Sequence, residues 1–147
     1  MTDKEIDRTE INMKLDHISY AVRSTDESIE LFSAIYPIVA TYKYLEKNQN
    51  VFITYLSNKK DNHKIELVEP AGHPSPVDNM LKSQDTVLYH VCYRVEDFNK
   101  AIRYFKNRGF FMITTPFETS IEKGIWACHF FNPKSGIIEI TGENRDE

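Results

Sequence analysis

The chain has 147 residues, of which 41% are hydrophobic and 12% aromatic, so it can form one domain with a sizeable core, and wholesale disorder is not expected. Its net charge of −4 argues against a nucleic-acid partner bound on a basic face. No stretch approaches the roughly 18 apolar residues that span a bilayer, and the N-terminal segment lacks an apolar signal region. Together these features indicate a cytoplasmic protein without membrane or nucleic-acid partners.

The first half of the chain shows a strand, a helix and three further strands. LDHISYAV at 15–22 alternates and is rich in β-branched and aromatic residues, which predicts a strand. The segment STDESIELFSAIY predicts a helix that Ser24 or Thr25 caps and Pro37 ends. The predicted apolar side of this helix consists of Ile29, Leu31, Phe32 and Ile35. Strand-like runs follow at about 38–45, 51–56 and 64–69.

The second half repeats this order after the turn-rich connection PAGHPSPVDN. A strand ends at Val95, and a helix is predicted at about 97–107 with Gly109 as its C-cap. Cys92 and Cys128 lie in apolar strand-like runs without a spacing motif, which favours reduced core thiols over a disulfide. The remaining strands are predicted at about 110–114, 125–131 and 136–141.

The two halves are related by one constant offset. Adding 73 to the residue number takes His17 to His90 and Glu66 to Glu139, so the offset holds for both the first and the last strand of each half. An internal repeat of this kind fixes the fold before any other argument. Chance similarity between strands is the competing explanation, but an equal spacing over both strands makes it less attractive.

The repeat therefore predicts an α+β fold built from two tandem βαβββ modules. The modules span about 14–72 and 86–144, and together they form one domain at about 14–144. We expect the two modules to pair and build a common sheet. Residues 1–13 are polar and aperiodic, and they are predicted to form a flexible N-terminal tail.

The repeated histidines and glutamates form the candidate site. Neighbouring side chains of a strand point to opposite faces, so apolar neighbours turned toward the helices would place His17, Glu66, His90 and Glu139 on the inner face. Buried carboxylates are costly without a partner, and a divalent ion such as Zn²⁺, Ni²⁺, Co²⁺ or Mn²⁺ suits two imidazoles and two carboxylates. An octahedral ion would keep two positions open, as a catalytic site requires.

Each member of this set also has an ordinary structural explanation. A lone strand histidine is usually a hydrogen-bonded core residue, and a strand glutamate usually faces water. The shared offset outweighs these alternatives for the repeated pairs. It does not support the other three histidines, because His63 and His73 lie in loop-like sequence and His129 has no histidine at its repeat position. We therefore predict that these three are not ligands.

The same offset suggests which residues surround a substrate. It takes Ile53 to Trp126 and Tyr55 to Cys128. Trp126 has a place in the core as its alternative, and Arg94 either holds an anionic substrate or pairs with a carboxylate at the rim. The predicted substrate-binding residues are Ser19, Ile53, Tyr55, Cys92, Arg94 and Trp126.

These motifs resemble the vicinal oxygen chelate superfamily, which includes glyoxalase I, methylmalonyl-CoA epimerase, extradiol dioxygenases and fosfomycin- and bleomycin-resistance proteins. The resemblance covers about 14–143, and LDHISYAV, IELVEP, YHVCYRVEDFNKAI and FFNPKSGIIEI are closest in style to epimerases and glyoxalase-like proteins. It implies a single curled mixed sheet around a metal site, with one divalent metal ion held by His17, Glu66, His90 and Glu139. It also implies a homodimer, and a metal-bound glutamate as catalytic base, with Glu139 as first candidate and Glu66 as second.

Two departures separate the chain from the standard epimerase pattern. Epimerases typically carry EQGV with a second catalytic glutamate two residues beyond the valine, whereas this chain has NQNVFI with Ile53 at that position. Epimerases also read HPKS before the last strand, where this chain has Asn132 in NPKS. The two-base epimerase mechanism is therefore not predicted from these motifs.

The resemblance implies metal-assisted chemistry through an enolate. We expect a glyoxalase- or epimerase-like isomerase or lyase that acts on a small 2-oxo, hydroxycarbonyl or acyl-thioester substrate. One alternative is a non-catalytic small-molecule binder of the drug-resistance type. Another is a biosynthetic enzyme that uses the same metal chemistry on an unusual sugar or antibiotic intermediate.

Overall fold

The computed structural model describes residues 11–144, so most of the predicted tail lies outside the described residues. Residues 11 and 12, at the end of the predicted tail, contact the folded domain. Ile11 packs against a core cluster of the second module, and the Asn12 amide donates a hydrogen bond of 2.9 Å to Glu96. The first strand begins at Met13.

Each module contains the predicted order of strands and one helix. The first module consists of β1 (Met13–Val22), α1 (Thr25–Phe32), β2 (Ile38–Glu46), β3 (Val51–Ser57) and β4 (Lys64–Pro70). A short 3₁₀ turn at Met80–Lys82 precedes the second module. That module consists of β5 (Thr86–Val95), α2 (Phe98–Asn107), β6 (Phe111–Met112), β7 (Phe117–Glu118), β8 (Ile125–Asn132) and β9 (Gly136–Glu143).

The second module departs from the prediction at one strand. The strand predicted at 110–114 is two residues long, and a further two-residue strand, β7, follows Pro116. Proline has no N–H to donate to a strand ladder. The proline therefore falls between two short strands, whereas the matching β2 of the first module is continuous.

All strands between residues 11 and 144 join in one nine-stranded mixed sheet, as the tandem-module prediction requires. Its order is β2-β3-β4-β1-β5-β9-β8-β6, with β7 paired to β8, and the sheet does not close into a barrel. Each module pairs its first and last strands in parallel, β1 with β4 and β5 with β9. The modules meet where β1 and β5 pair in antiparallel fashion. The four strands that carry the repeated residues are therefore neighbours.

The two helices cover one face of the sheet. Ser24 caps α1 through its side chain and Asp97 caps α2, while Gly109 lies just beyond α2 at a φ of +89° that favours glycine. The core between helices and sheet includes Leu67 of β4 and Phe105 of α2, both buried. Neither helix within 11–144 has the length or apolarity to cross a membrane.

The predicted apolar side of α1 is partly wrong. Ile29 and Phe32 pack against the core, but Leu31 is 80% exposed and Ile35 is 64% exposed. The helix ends at Phe32, so Ile35 lies beyond it, and Leu31 lies on the solvent side of a narrow apolar stripe. Cys92 and Cys128 are buried free thiols, in agreement with the prediction.

Candidate metal centre

The structure brings the four repeated residues together. His17, Glu66, His90 and Glu139 lie on β1, β4, β5 and β9, and all four are buried. Glu139 Oε1 lies between the two imidazoles, 3.1 Å from His17 Nε2 and 3.2 Å from His90 Nε2. The parallel pairing within each module and the central β1–β5 pair place these side chains on one face.

Glu66 also lies near both imidazoles. Its Oε2 lies 3.5 Å from His17 Nε2, and its Oε1 lies 3.6 Å from His90 Nε2. The Ser19 hydroxyl donates a hydrogen bond of 2.7 Å to Glu66 Oε1. Ser19, which was predicted to bind substrate, is fully buried and acts here as a support for a candidate ligand.

The chemistry of these donors fits a divalent ion. Within residues 11–144, the Nε2 atoms of His17 and His90 are buried and form no hydrogen bond, although carboxylate oxygens lie close to both. Metal–nitrogen and metal–oxygen bonds of about 2.0–2.2 Å place neighbouring ligand atoms roughly 3 Å apart. The separations of 3.1–3.6 Å between the imidazole nitrogens and carboxylate oxygens are close to this spacing. His17, His90 and Glu139 also offer donor atoms that all lie within 4.8 Å of one another.

Burial and neighbouring charged groups shift the pKa values of these four residues. Burial acts to lower the pKa of His17, but the Glu66 carboxylate and other anionic neighbours outweigh it and hold that pKa well above its ordinary value. Burial acts to raise the pKa of Glu139, but electrostatic and hydrogen-bonding interactions with the neighbouring imidazoles bring it well below its ordinary value. The pKa of His90 is lowered, mainly because its imidazole is buried. The metal-free site therefore favours a cationic His17, a neutral His90 and an ionised Glu139.

Metal binding is therefore expected to release a proton at neutral pH. A ligand imidazole must be neutral, and the raised pKa of His17 keeps a proton on it until a metal displaces it. The apparent metal affinity should consequently fall as the pH is lowered through the neutral range. Isothermal titration calorimetry in buffers of different ionisation enthalpy measures this release, and heats that do not depend on the buffer would contradict it.

His17 is oriented by a residue that the sequence analysis did not identify. Its Nδ1 lies 2.7 Å from Asp16 Oδ2, and the same oxygen lies 3.5 Å from Lys64 Nζ. Hydrogen bonding of the second ring nitrogen is the usual way in which proteins orient a metal-binding histidine. Consecutive strand residues normally point to opposite faces, but the β1–β5 register shifts between Leu15 and His17. This irregularity accompanies the close contact between Asp16 and His17.

A small cavity lies in front of the four residues. It has a volume of about 90 Å³ and is lined by all four of them. Its apolar wall includes Ile53, Val68, Tyr89, Phe117 and Ile121, and its polar lining includes Lys64, Arg94 and Glu122. The arrangement can hold a small polar group at the buried carboxylates and an apolar group against the wall.

Three of the predicted substrate-binding residues line this cavity. They are Ile53, Tyr55 and Arg94, whereas Ser19, Cys92 and Trp126 do not contribute to the lining. Cys92 is fully buried. Arg94 lies 3.4 Å from Glu122, so it pairs with a carboxylate at the rim, which was one of the two alternatives.

The structure places Trp126 on the other face of β8. In the first module, Ile53 pairs with Val68 and Tyr55 pairs with Glu66. In the second module, Ala127 and His129 have the corresponding partners, Thr141 and Glu139. The offset in this strand is therefore 74, and a shift of one residue turns every side chain to the opposite face. Trp126 consequently packs against the core cluster beneath α2.

His129 is the site neighbour that the sequence analysis missed. It was excluded because the repeat gave it no histidine partner, but the strand register makes Tyr55 its structural counterpart. Its Nε2 lies 3.1 Å from Glu139 Oε2, and its side chain is 1% exposed. The alternation of Ile125, Ala127 and His129 along one strand was the signal that could have identified it.

A family model connects this architecture to known proteins. The model described as the glyoxalase/bleomycin resistance protein/dioxygenase superfamily matches residues 16–128, which is most of the chain. The chain belongs to this superfamily. The match confirms the predicted resemblance, and the superfamily fold is the one described above.

Several members of the superfamily similar to this chain are epimerases. The mitochondrial methylmalonyl-CoA epimerase of Dictyostelium discoideum is 28% identical over 91 residues, which cover 61% of this chain and 54% of that protein. The match thus spans about half the length of this curated relative.

Solved structures of other members share the fold. Methylmalonyl-CoA epimerase from Mycobacterium tuberculosis aligns with a TM-score of 0.74 at 19% identity, covering 88% of this chain and 87% of that chain. A variant of the Streptomyces coelicolor methylmalonyl-CoA epimerase, in complex with 2-nitronate-propionyl-CoA, aligns with a TM-score of 0.72 at 20% identity. That alignment covers 88% of this chain and 96% of the other. At these identities the likeness shows a common fold.

Proposed function

We propose that the protein is a divalent-metal-dependent isomerase or lyase of the glyoxalase or epimerase type. Its substrate would be a small 2-oxo, hydroxycarbonyl or acyl-thioester compound with an acidic C–H beside the carbonyl. The observation that carries this proposal is the buried set of His17, Glu66, His90 and Glu139 facing one cavity. The similarity to methylmalonyl-CoA epimerases supports an acyl-thioester as one substrate class.

The four residues would hold the ion, and the glutamates would also act on the substrate. A bound divalent ion supplies polarisation of the substrate carbonyl and stabilises the negative charge that develops during deprotonation. Glu139 is the first candidate for the base, because one of its oxygens faces the two imidazoles and its side chain lines the cavity. Glu66 is the second candidate, but the Ser19 hydroxyl restrains one of its oxygens.

The isoleucine at position 53 favours a proton-transfer mechanism that uses a single carboxylate. This residue lines the cavity and is buried, and it occupies the position at which epimerases typically carry their second catalytic glutamate. An isoleucine cannot accept a proton. We therefore propose that one carboxylate both removes the proton from one carbon and delivers a proton to the neighbouring carbon, with exchange against solvent between the two steps.

Hydrogen exchange into heavy water tests this proposal. The metal-loaded protein would be incubated with methylmalonyl-CoA and, separately, with the hemithioacetal of methylglyoxal and glutathione, and the products would be followed by mass spectrometry. Deuterium incorporation beside the carbonyl, or conversion of the hemithioacetal, is expected for at least one compound and should stop after chelation. A metal-loaded protein that exchanges hydrogen in neither compound would favour the binder alternative.

The assembly is part of the same proposal. Membership of the superfamily is consistent with a homodimer, and sedimentation velocity of the purified protein would give its mass in solution. Location in the cytoplasm stays a prediction from the sequence.

A further inference from the structure

The two oxygens of Glu139 have different neighbours. Oε1 lies between His17 Nε2 and His90 Nε2, at 3.1 and 3.2 Å. Oε2 points the other way and lies 3.1 Å from His129 Nε2. The His129 imidazole therefore lies beside the Glu139 oxygen that does not face His17 and His90.

His129 is itself fixed on its other side by Thr114. The Thr114 hydroxyl oxygen accepts a hydrogen bond of 2.8 Å from the His129 backbone N–H and lies 3.0 Å from His129 Nδ1. A hydroxyl that accepts from the backbone can donate its own hydrogen to Nδ1. In a neutral ring this would leave the hydrogen on Nε2, the ring nitrogen that lies 3.1 Å from Glu139 Oε2.

The second candidate ligand, Glu66, is supported in a different way. The Ser19 hydroxyl on β1 donates to its Oε1 at 2.7 Å. The repeat places Cys92 where a second serine would be needed beside Glu139, and a thiol is a weak donor. The counterpart of His129 in the first module is Tyr55. One carboxylate is thus supported by a hydroxyl from its neighbouring strand β1, and the other by an imidazole from β8.

We propose that His129 is a positioning residue for Glu139. It would restrain Oε2 and so leave Oε1 turned toward His17 and His90, where those residues would hold an ion. The position of the ring supports this role, because His129 Nε2 is buried, has no other partner within residues 11–144 and lies 3.1 Å from Glu139 Oε2. The inference rests on the proposed function in one respect, namely that Glu139 is the catalytic base.

Two substitutions at this position separate a positioning role from a structural one. His129→Leu fills much of the volume without a donor, whereas His129→Gln can present an amide N–H near the position of Nε2. Cys128→Ala is the matched control, because Cys128 lies on the same strand and belongs to the core cluster beneath α2. Metal affinity would be measured by competition with a chelator, and kcat and KM with the substrate identified by the exchange experiment.

We expect His129→Leu to lower kcat or metal affinity about 10- to 100-fold, the range typical of residues that support a metal ligand. KM should change little, and the ion stoichiometry should stay the same. His129→Gln should recover most of the loss, and Cys128→Ala should behave like the wild type. Wild-type metal affinity and kcat in His129→Leu would overturn the inference. Complete loss of metal binding in both His129 variants would make His129 a ligand and would overturn it as well.

A double-mutant cycle on the metal-free protein gives a second and independent readout. The unfolding midpoint in urea would be measured for His129→Leu, for Glu139→Gln and for the double variant. Direct contact predicts that the two shifts are not additive, and additive shifts would overturn the inference even for a protein that binds no metal. A wild-type protein that binds no metal would contradict the proposed function, so the two failures are distinguishable.

Discussion

Replacing Glu139 by glutamine is expected to lower turnover by about 10³-fold or more while the protein remains folded. General-base catalysis contributes about 10²- to 10⁴-fold, and an amide cannot accept the substrate proton. Glutamine has nearly the same shape as glutamate, so the buried position between the imidazoles stays filled. Turnover or hydrogen exchange would be measured at saturating metal, and folding by circular dichroism.

The control for this substitution is Glu30→Gln, which removes one carboxylate from the exposed surface of α1. It should leave turnover unchanged. Glu66→Gln offers a second comparison, because Glu66 is proposed mainly as a ligand. A smaller loss of kcat in Glu66→Gln than in Glu139→Gln would agree with Glu139 as the base, and full activity of Glu139→Gln would exclude that assignment.

Replacing His90 by alanine is expected to weaken metal binding by more than about 100-fold, beyond the range for residues that only support a ligand. Within residues 11–144, neither ring nitrogen of His90 forms a hydrogen bond, and its lowered pKa keeps the ring neutral and ready to bind a cation. Chelator competition with Zn²⁺ and Co²⁺ would measure the change.

A second histidine provides the matched control for this substitution. The side chain of His73 is 76% exposed, and its Nδ1 lies 2.8 Å from Asp78, away from the four candidate ligands. His73→Ala should retain the wild-type metal affinity. An equal loss in both variants would indicate adventitious binding to surface histidines, and no loss in His90→Ala would remove His90 from the ligand set.

The repeat made the four candidate ligands predictable from sequence. The offset of 73 holds on β1 with β5 and on β4 with β9, and these strands pair side by side in the structure. A buried glutamate between apolar neighbours needs a charged partner, so residue type and spacing together predicted where His17, His90 and both glutamates would meet.

The remaining site residues are positioned by strand registers that the offset of 73 does not predict. The offset is 74 on β8. Trp126 therefore lies outside the cavity that it was predicted to line, and His129 lies beside Glu139. Asp16 contacts His17 beside an irregularity in the β1–β5 register that strand alternation does not reveal. Each case is a shift of one residue, and such a shift exchanges the two faces of a strand.

The ion content of the purified protein tests the central claim most directly. The protein would be exposed in turn to Zn²⁺, Ni²⁺, Co²⁺ and Mn²⁺, freed of unbound metal, and analysed by elemental mass spectrometry. The four buried ligands predict about one ion per chain for at least one metal, with loss of that ion in His90→Ala and its retention in His73→Ala. Less than about 0.2 ion per chain with every metal would contradict the proposed centre.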